Sequence, residues 1–111
     1  MKILFVENHQ IFAKAVIKEF LKEFEVIVVP SVEAAIKSFS PEFELVLTDF
    51  DLDDGKGIEV VSYIRKVGST IPIIAVSSHQ EGNNRMLAAG ANAICGKMEF
   101  RNIKDVIGSL L

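Results

Sequence analysis

The stretch Leu45-Val46-Leu47-Thr48-Asp49-Phe50-Asp51-Leu52-Asp53-Asp54 turns abruptly from apolar to acidic. An apolar run without polar alternation suits a strand covered on both faces, the habit of parallel sheets. The same signature recurs along the chain. Ile3 to Val6, Val26 to Val29 and Ile71 to Val76 are nearly unbroken and rich in Ile and Val, and a shorter run spans Ala93 to Cys95. Pro72 is tolerable only near the start of its run, since it has no N–H to give a ladder.

Between the runs the apolar period lengthens to that of a helix. Ile11, Phe12, Ala15, Val16 and Phe20 read as one helical face. Val32, Ala35, Ile36 and Phe39 read as a second, with Ser31 placed as its N-cap. Ile58, Val61, Ile64 and Val67 form a third, stopped near Gly68, and Met86, Leu87 and Ala89 a fourth, stopped near Gly90. Ile103, Val106, Ile107 and Leu110 form the fifth. Gly after a helix and Pro41 beyond the second are the expected stop signals. A strand–helix unit repeated five times, with right-handed crossovers, requires a doubly wound open α/β sheet.

Composition bounds the rest. The chain has 111 residues, of which 50% are hydrophobic and 24% charged. That fits one domain, expected over residues 1–111, and excludes disorder. A single cysteine, Cys95, excludes an intrachain disulfide framework and suits a reducing, cytoplasmic setting. No apolar run reaches the ~20 residues of a membrane span. Met1 to Val6 is too short for a signal-peptide core before Glu7 interrupts it. The balance of 15 acids to 12 bases, with scattered Lys and Arg, argues against direct nucleic-acid binding.

Ligands of open α/β sheets bind beyond the carboxyl ends of the strands. The first run ends in Glu7 and Asn8, and the third in Thr48 and Asp49, with Asp51, Asp53 and Asp54 following. The fourth ends in Ser77 and Ser78, and Gly96 and Lys97 follow the fifth. Clustered carboxylates repel unless a cation sits among them, and an all-oxygen set suits Mg²⁺. A hydroxyl and a lysine beside them suit a phosphoryl group. A carboxylate is also a competent covalent acceptor. With those five acids set aside, the remaining chain has more bases than acids, so the acidity reads as local.

These residues resemble the receiver domain of two-component response regulators over essentially the whole chain. Glu7 and Asn8 match the family's acidic pair, Asp49 its phosphoacceptor, Ser77 its Ser/Thr and Lys97 its lysine. Gly57, Ile58 and Glu59 match the end of its acceptor loop. The stretch Glu7-Asn8-His9-Gln10-Ile11-Phe12 is most similar to receivers fused to helix-turn-helix output domains, although no output domain lies in these residues. The resemblance implies a three-layer sandwich with a five-stranded parallel sheet in the order 2-1-3-4-5. It implies transfer of a phosphoryl group to Asp49 from a sensor histidine kinase or phosphotransfer protein. Glu7, Asn8, Asp49 and the backbone carbonyl of Asp51 would hold Mg²⁺, and Ser77 and Lys97 would contact the phosphoryl oxygens. Asp51 and His79 would tune the lifetime of the acyl phosphate. Phosphorylation would switch a surface for a fused or separate output partner, and a homodimer stays open.

Four departures qualify this match. Asn8 stands where the second acid belongs, which removes a charge unless Asp51 or Asp53 restores it. Ile94 occupies the switch position, where the family usually has Tyr or Phe, so the aromatic switch paired with Ser77 is expected to be absent. Met98 follows Lys97 in place of Pro, which favours a trans bond there. Asp53 replaces a common Pro. Asn8, Ile94 and Met98 together keep a second reading open, a pseudo-receiver that binds proteins without phosphorylation.

Two other classes fit less well. An EF-hand reading of Asp49, Asp51 and Asp53 meets Asp54 where Gly is needed and Val60 where Glu is needed. Asp49-Phe50-Asp51 also resembles the nucleophile motif of haloacid-dehalogenase-type phosphatases, but no later acidic pair or cap domain accompanies it. Lys14, Lys18 and Lys22 form a basic stripe on the first helix, a solvated face that also suits kinase contact. His9 reads as a solvated loop residue. Cys95 reads as a small buried hydrophobe, not a reactive thiol.

Overall fold

The computed structural model describes all residues from Met1 to Leu111. Five parallel strands form the sheet: β1 (Lys2–Val6), β2 (Glu25–Val29), β3 (Leu45–Thr48), β4 (Ile73–Ala75) and β5 (Ala93–Ile94). Their order is β2-β1-β3-β4-β5, the expected doubly wound arrangement. Helices α1 (Gln10–Phe20), α2 (Val32–Ser38), α3 (Gly57–Lys66), α4 (Gln80–Ala89) and α5 (Ile103–Leu110) follow the strands in turn. Pro72 lies just before β4, where its carbonyl still accepts from the Val46 N–H at 3.0 Å.

Alternate strand residues face opposite layers. Leu4, Val6, Val46, Ile73 and Ala75 pack with α2, α3 and α4 through Val32, Ala35, Val61, Ile64 and Met86. Ile3, Phe5, Leu45, Leu47 and Ile74 pack with α1 and α5 through Ala13, Val16, Ile103 and Ile107. Every residue of β3 and β4 is buried, which is why these runs carry no polar alternation. Each buried Leu, Ile or Val among them contributes roughly 1.5–3 kcal/mol by leaving water.

Four expectations change. Val67, expected on the apolar face of α3, lies just past that helix and is 54% exposed. β2 is not covered on both faces: Ile27 and Val28 are each 37% exposed. It is an edge strand with a single neighbour, and only Val29 is buried. On α1 the buried residues are Ala13 and Val16, whereas Ile11 is 80% exposed. Ile11 and Ala15 share the solvent-facing stripe of Lys14 and Lys18, so the expected apolar face mixed two sides of the helix. On α4 Leu87 is exposed, and Gly82, Asn83 and Met86 form the buried face.

Helix caps fix where the loops turn. The Ser31 hydroxyl accepts from the Ala34 N–H at 3.0 Å, as expected. Glu59 in the first turn of α3 accepts from the Lys56 N–H at 2.8 Å. Gly57 opens α3 directly beneath Asp49. A Cβ there would lie 2.1 Å from the Asp49 carbonyl oxygen and 2.7 Å from the Met86 sulfur. Gly57→Ala is therefore expected to destabilise the domain by roughly 1–3 kcal/mol despite alanine's helix propensity, measured by urea unfolding.

Candidate functional site

Backbone ladders place the acidic residues. In register, Val6 pairs with Val29 on one side and Thr48 on the other. One step further, the Glu7 N–H donates to the Val29 carbonyl and the Asp49 N–H to the Val6 carbonyl, each at 2.9 Å. Glu7 and Asp49 thus leave adjacent central strands at the same end, and both are buried.

Lys97 joins them. Its Nζ lies 3.0 Å from Asp49 Oδ2 and 3.2 Å from Glu7 Oε2. The Glu7 Oε2 also accepts from the His9 N–H at 3.0 Å. Glu7 Oε1 lies 3.1 Å from the same ammonium but out of line, and has no hydrogen-bond partner. Asp49 Oδ1 accepts from the Phe50 N–H at 2.7 Å. The Phe12 ring lies 4.8 Å from the Lys97 ammonium and stacks edge-on against Phe100, so aromatic packing supports the lysine from beneath.

Burial and the Asp49 charge push the Glu7 carboxyl up to about 7, against the opposing pull of Lys97 and the His9 N–H. For Lys97, burial disfavours the charged form. The hydrogen bond and charge of Asp49, with those of Glu7, outweigh it, and the ammonium's pKa is raised.

The remaining acids go elsewhere. Asp51 pairs with Lys56, and that hydrogen bond holds its carboxyl below the usual range. Asp54 reaches back to α2, where its two oxygens accept from the Val32 and Glu33 N–H groups at 2.7 and 3.0 Å. Asp53 and Asn8 are exposed. The expected cluster of five acids is therefore two buried carboxylates, one surface pair, one helix cap and one free side chain. Of the two acids that could restore the charge missing at Asn8, Asp51 is paired with Lys56 and Asp53 is an exposed side chain with no ion pair.

Ser77 lies past the end of β4 and is buried. Its Oγ accepts from the His79 N–H at 3.0 Å. The His79 ring caps α4 through Nδ1, which accepts from the Gly82 N–H at 2.8 Å, and it stacks on Phe50 with centroids 5.1 Å apart. Ile94 is 36% exposed and Met98 85% exposed. The Lys97–Met98 bond is trans, as expected. Cys95 is buried, and burial, with Glu99 nearby, pushes its thiol up to about 11, in keeping with an inert role.

No group of three or more His, Cys, Asp or Glu side chains converges on one point. Mg²⁺ does not need one, because it takes one or two carboxylates and completes its octahedron with waters and other oxygens. Glu7, whose buried Oε1 makes no hydrogen bond, and Asp49 fit that description.

The sequence matches the family described as the response regulator receiver domain over residues 3–107. The chain belongs to that family. No curated protein matches it. Among solved structures, the response regulator TrrA from Thermotoga maritima, determined in complex with Mg²⁺ and BeF, is 25% identical with a TM-score of 0.87, covering 99% of this chain and 98% of that one. The receiver domain of a histidine kinase from Arabidopsis thaliana, solved as a mutant, is 26% identical with a TM-score of 0.81, over 98% and 88%. A LuxR-family DNA-binding response regulator from Staphylococcus aureus shares the fold at 16% identity and a TM-score of 0.83, over 97% and 96%. No helix of this receiver domain is long and apolar enough to cross a membrane.

Sequence reasoning missed Asn83, Phe12, Phe50 and Gly82. Asn83 had one signal, a polar residue three positions before Met86 on the same helical face.

The raised Glu7 pKa has a consequence for stability. Between about 4.5 and 7 the folded chain binds more protons at Glu7 than the unfolded chain does. Stability therefore falls as pH rises through that window and levels off above it. Lys97 stays charged throughout. The metal-free domain is expected to lose on the order of 1–3 kcal/mol from this group between pH 5 and 8. Urea midpoints at both pH values check this, and Glu7→Gln should flatten the dependence.

Proposed function

We propose that this receiver domain accepts a phosphoryl group on Asp49 from a histidine kinase or phosphotransfer protein. The observation that carries this reading is the Lys97 ammonium, 3.0 Å from Asp49 Oδ2 and between two buried carboxylates beyond a parallel sheet. An Asp49 oxygen attacks the phosphorus of a phosphohistidine. The P–N bond breaks, the histidine nitrogen leaves with its electron pair, and an acyl phosphate forms. Lys97 meets the negative phosphoryl oxygens. The Ser77 hydroxyl, now an acceptor for the His79 N–H, has its own proton free to donate to them.

Glu7, Asn8, Asp49 and the backbone carbonyl of Asp51 would hold Mg²⁺. When bound, it neutralises phosphoryl oxygens during transfer. The Mg²⁺ and BeF held by the Thermotoga relative support this assignment. Asp51 and His79 flank the acceptor and tune the acyl phosphate's lifetime. Ser77 and Ile94 occupy the switch positions, with a branched aliphatic in place of an aromatic ring. The kinase or phosphotransfer partner docks on the Lys14 and Lys18 stripe of α1, with Lys22 just beyond the end of that helix, in the cytoplasm, and a fused or separate output partner reads the switched surface.

Incubation with phosphoramidate and MgCl₂ should add the mass of one phosphoryl group to the wild-type chain and none to Asp49→Ala, read by intact-mass spectrometry. A wild-type chain without mass gain would favour the pseudo-receiver reading, for which the exposed Met98 and Ile94 offer an apolar binding surface. Asn8→Asp should tighten Mg²⁺ binding several-fold in a titration, because it restores a carboxylate beside Glu7 and Asp51 is already paired with Lys56. Equal affinities would exclude charge loss at position 8.

A further inference from the structure

The strand ladder stops before Ser77, yet the Ser77 backbone is fully satisfied. The β4–β5 register ends at Ala75 with Ile94. Beyond it, the Ser77 N–H donates to Asn83 Oδ1 at 3.0 Å, and Asn83 Nδ2 donates to the Ser77 carbonyl at 2.7 Å. Asn83 is only 4% exposed. Its side-chain amide takes the place of a peptide on a neighbouring strand, but it belongs to α4. Both hydrogen bonds are buried, so breaking them leaves polar groups without water.

A second contact locks the same turn of α4. A Cβ at Gly82 would lie 2.4 Å from the Phe50 ring, so helix and ring are in close contact. Phe50 directly follows Asp49, and its N–H is bonded to the Asp49 carboxylate. The first turn of α4 is thus fastened to the residue after Asp49 and to Ser77.

We propose that Asn83 is a positioning residue for the phosphoryl-accepting site: it sets the place of Ser77 and makes Ser77 and the first turn of α4 move as one body. This rests on the reading of Asp49 as acceptor. It also supplies a link from the site to the surface in a chain whose position 94 is Ile. Asn83 holds the Ser77 backbone at both its N–H and its carbonyl, so any approach to a phosphoryl group on Asp49 that moves this backbone carries α4 or breaks the amide pair.

Rates of mass gain with phosphoramidate and MgCl₂ test this in a double-mutant cycle of Asn83→Ala and Ser77→Ala. If Asn83 acts through Ser77, each single change slows the reaction at least fivefold and the two losses do not multiply. Independent, multiplying losses, or an Asn83→Ala rate within twofold of wild type, would overturn the proposal. Amide spectra give a second arm. Phosphoramidate should shift the Ser77, Gly82 and Asn83 amides together in wild type, and the α4 shifts should vanish in Asn83→Ala while that of Ser77 persists. Equal α4 shifts in both proteins count against it. Asn83→Asp, which keeps one of the two hydrogen bonds, serves if the alanine variant does not fold. If wild-type protein gains no mass, the acceptor reading itself fails. Hydrogen exchange at the Ser77 amide then decides the clamp alone: exchange tenfold faster in the variant supports it, and an unchanged rate overturns it.

Discussion

One ammonium holds together what the sheet forces into conflict. The ladder carries Glu7 and Asp49 to the same end of adjacent strands and buries both. Two carboxylates so placed repel, and taking either from water is costly. Lys97 offsets this from far along the chain, reaching both acids from the loop after β5. That loop is anchored by Phe100, which stacks with Phe5 and meets Phe12 and Phe20. The aromatic cluster under α1 and α5 is therefore part of the site's electrostatics, because it fixes where the positive charge can stand.

The compensation is incomplete. Glu7 keeps one oxygen without a hydrogen bond, and its carboxyl is pushed up to about 7. A single lysine thus leaves one buried carboxylate oxygen of the pair without a hydrogen bond. The acidic loop after β3 does not add to the demand. Asp54 is spent on the N-terminus of α2, where a carboxylate also suits the helix dipole, and Asp51 is spent on Lys56. The loop's acidity is largely a device for fastening the loop.

The fold was legible because burial on both sides of β1, β3 and β4 removes polar alternation, and the site because its residues sit just past those runs. What stayed hidden depends on long-range contacts. The exposure of β2 follows from its edge position, which its apolar run does not encode. The true face of α1 was obscured because Ile11 and Ala15 are spaced like core residues yet lie with Lys14 and Lys18. The cap from Asp54 reaches back more than twenty positions, to Val32. Nothing near it in sequence marks it as a cap and not a metal ligand.

Helix α4 shows how a blurred apolar pattern can accompany attachment to the site. Its buried face includes Gly82 and Asn83, both poor helix formers, with Gly costing ~1 kcal/mol against Ala. An ordinary core helix would place apolar side chains there. Here Gly82 makes room for the Phe50 ring, and Asn83 supplies the amide that the Ser77 backbone lacks. The same substitutions that blur the helical periodicity fit the helix to the two loops bearing Asp49 and Ser77. Loss of apolar pattern in α4 is thus the trace, in sequence, of a helix shaped to the site and not only to the core.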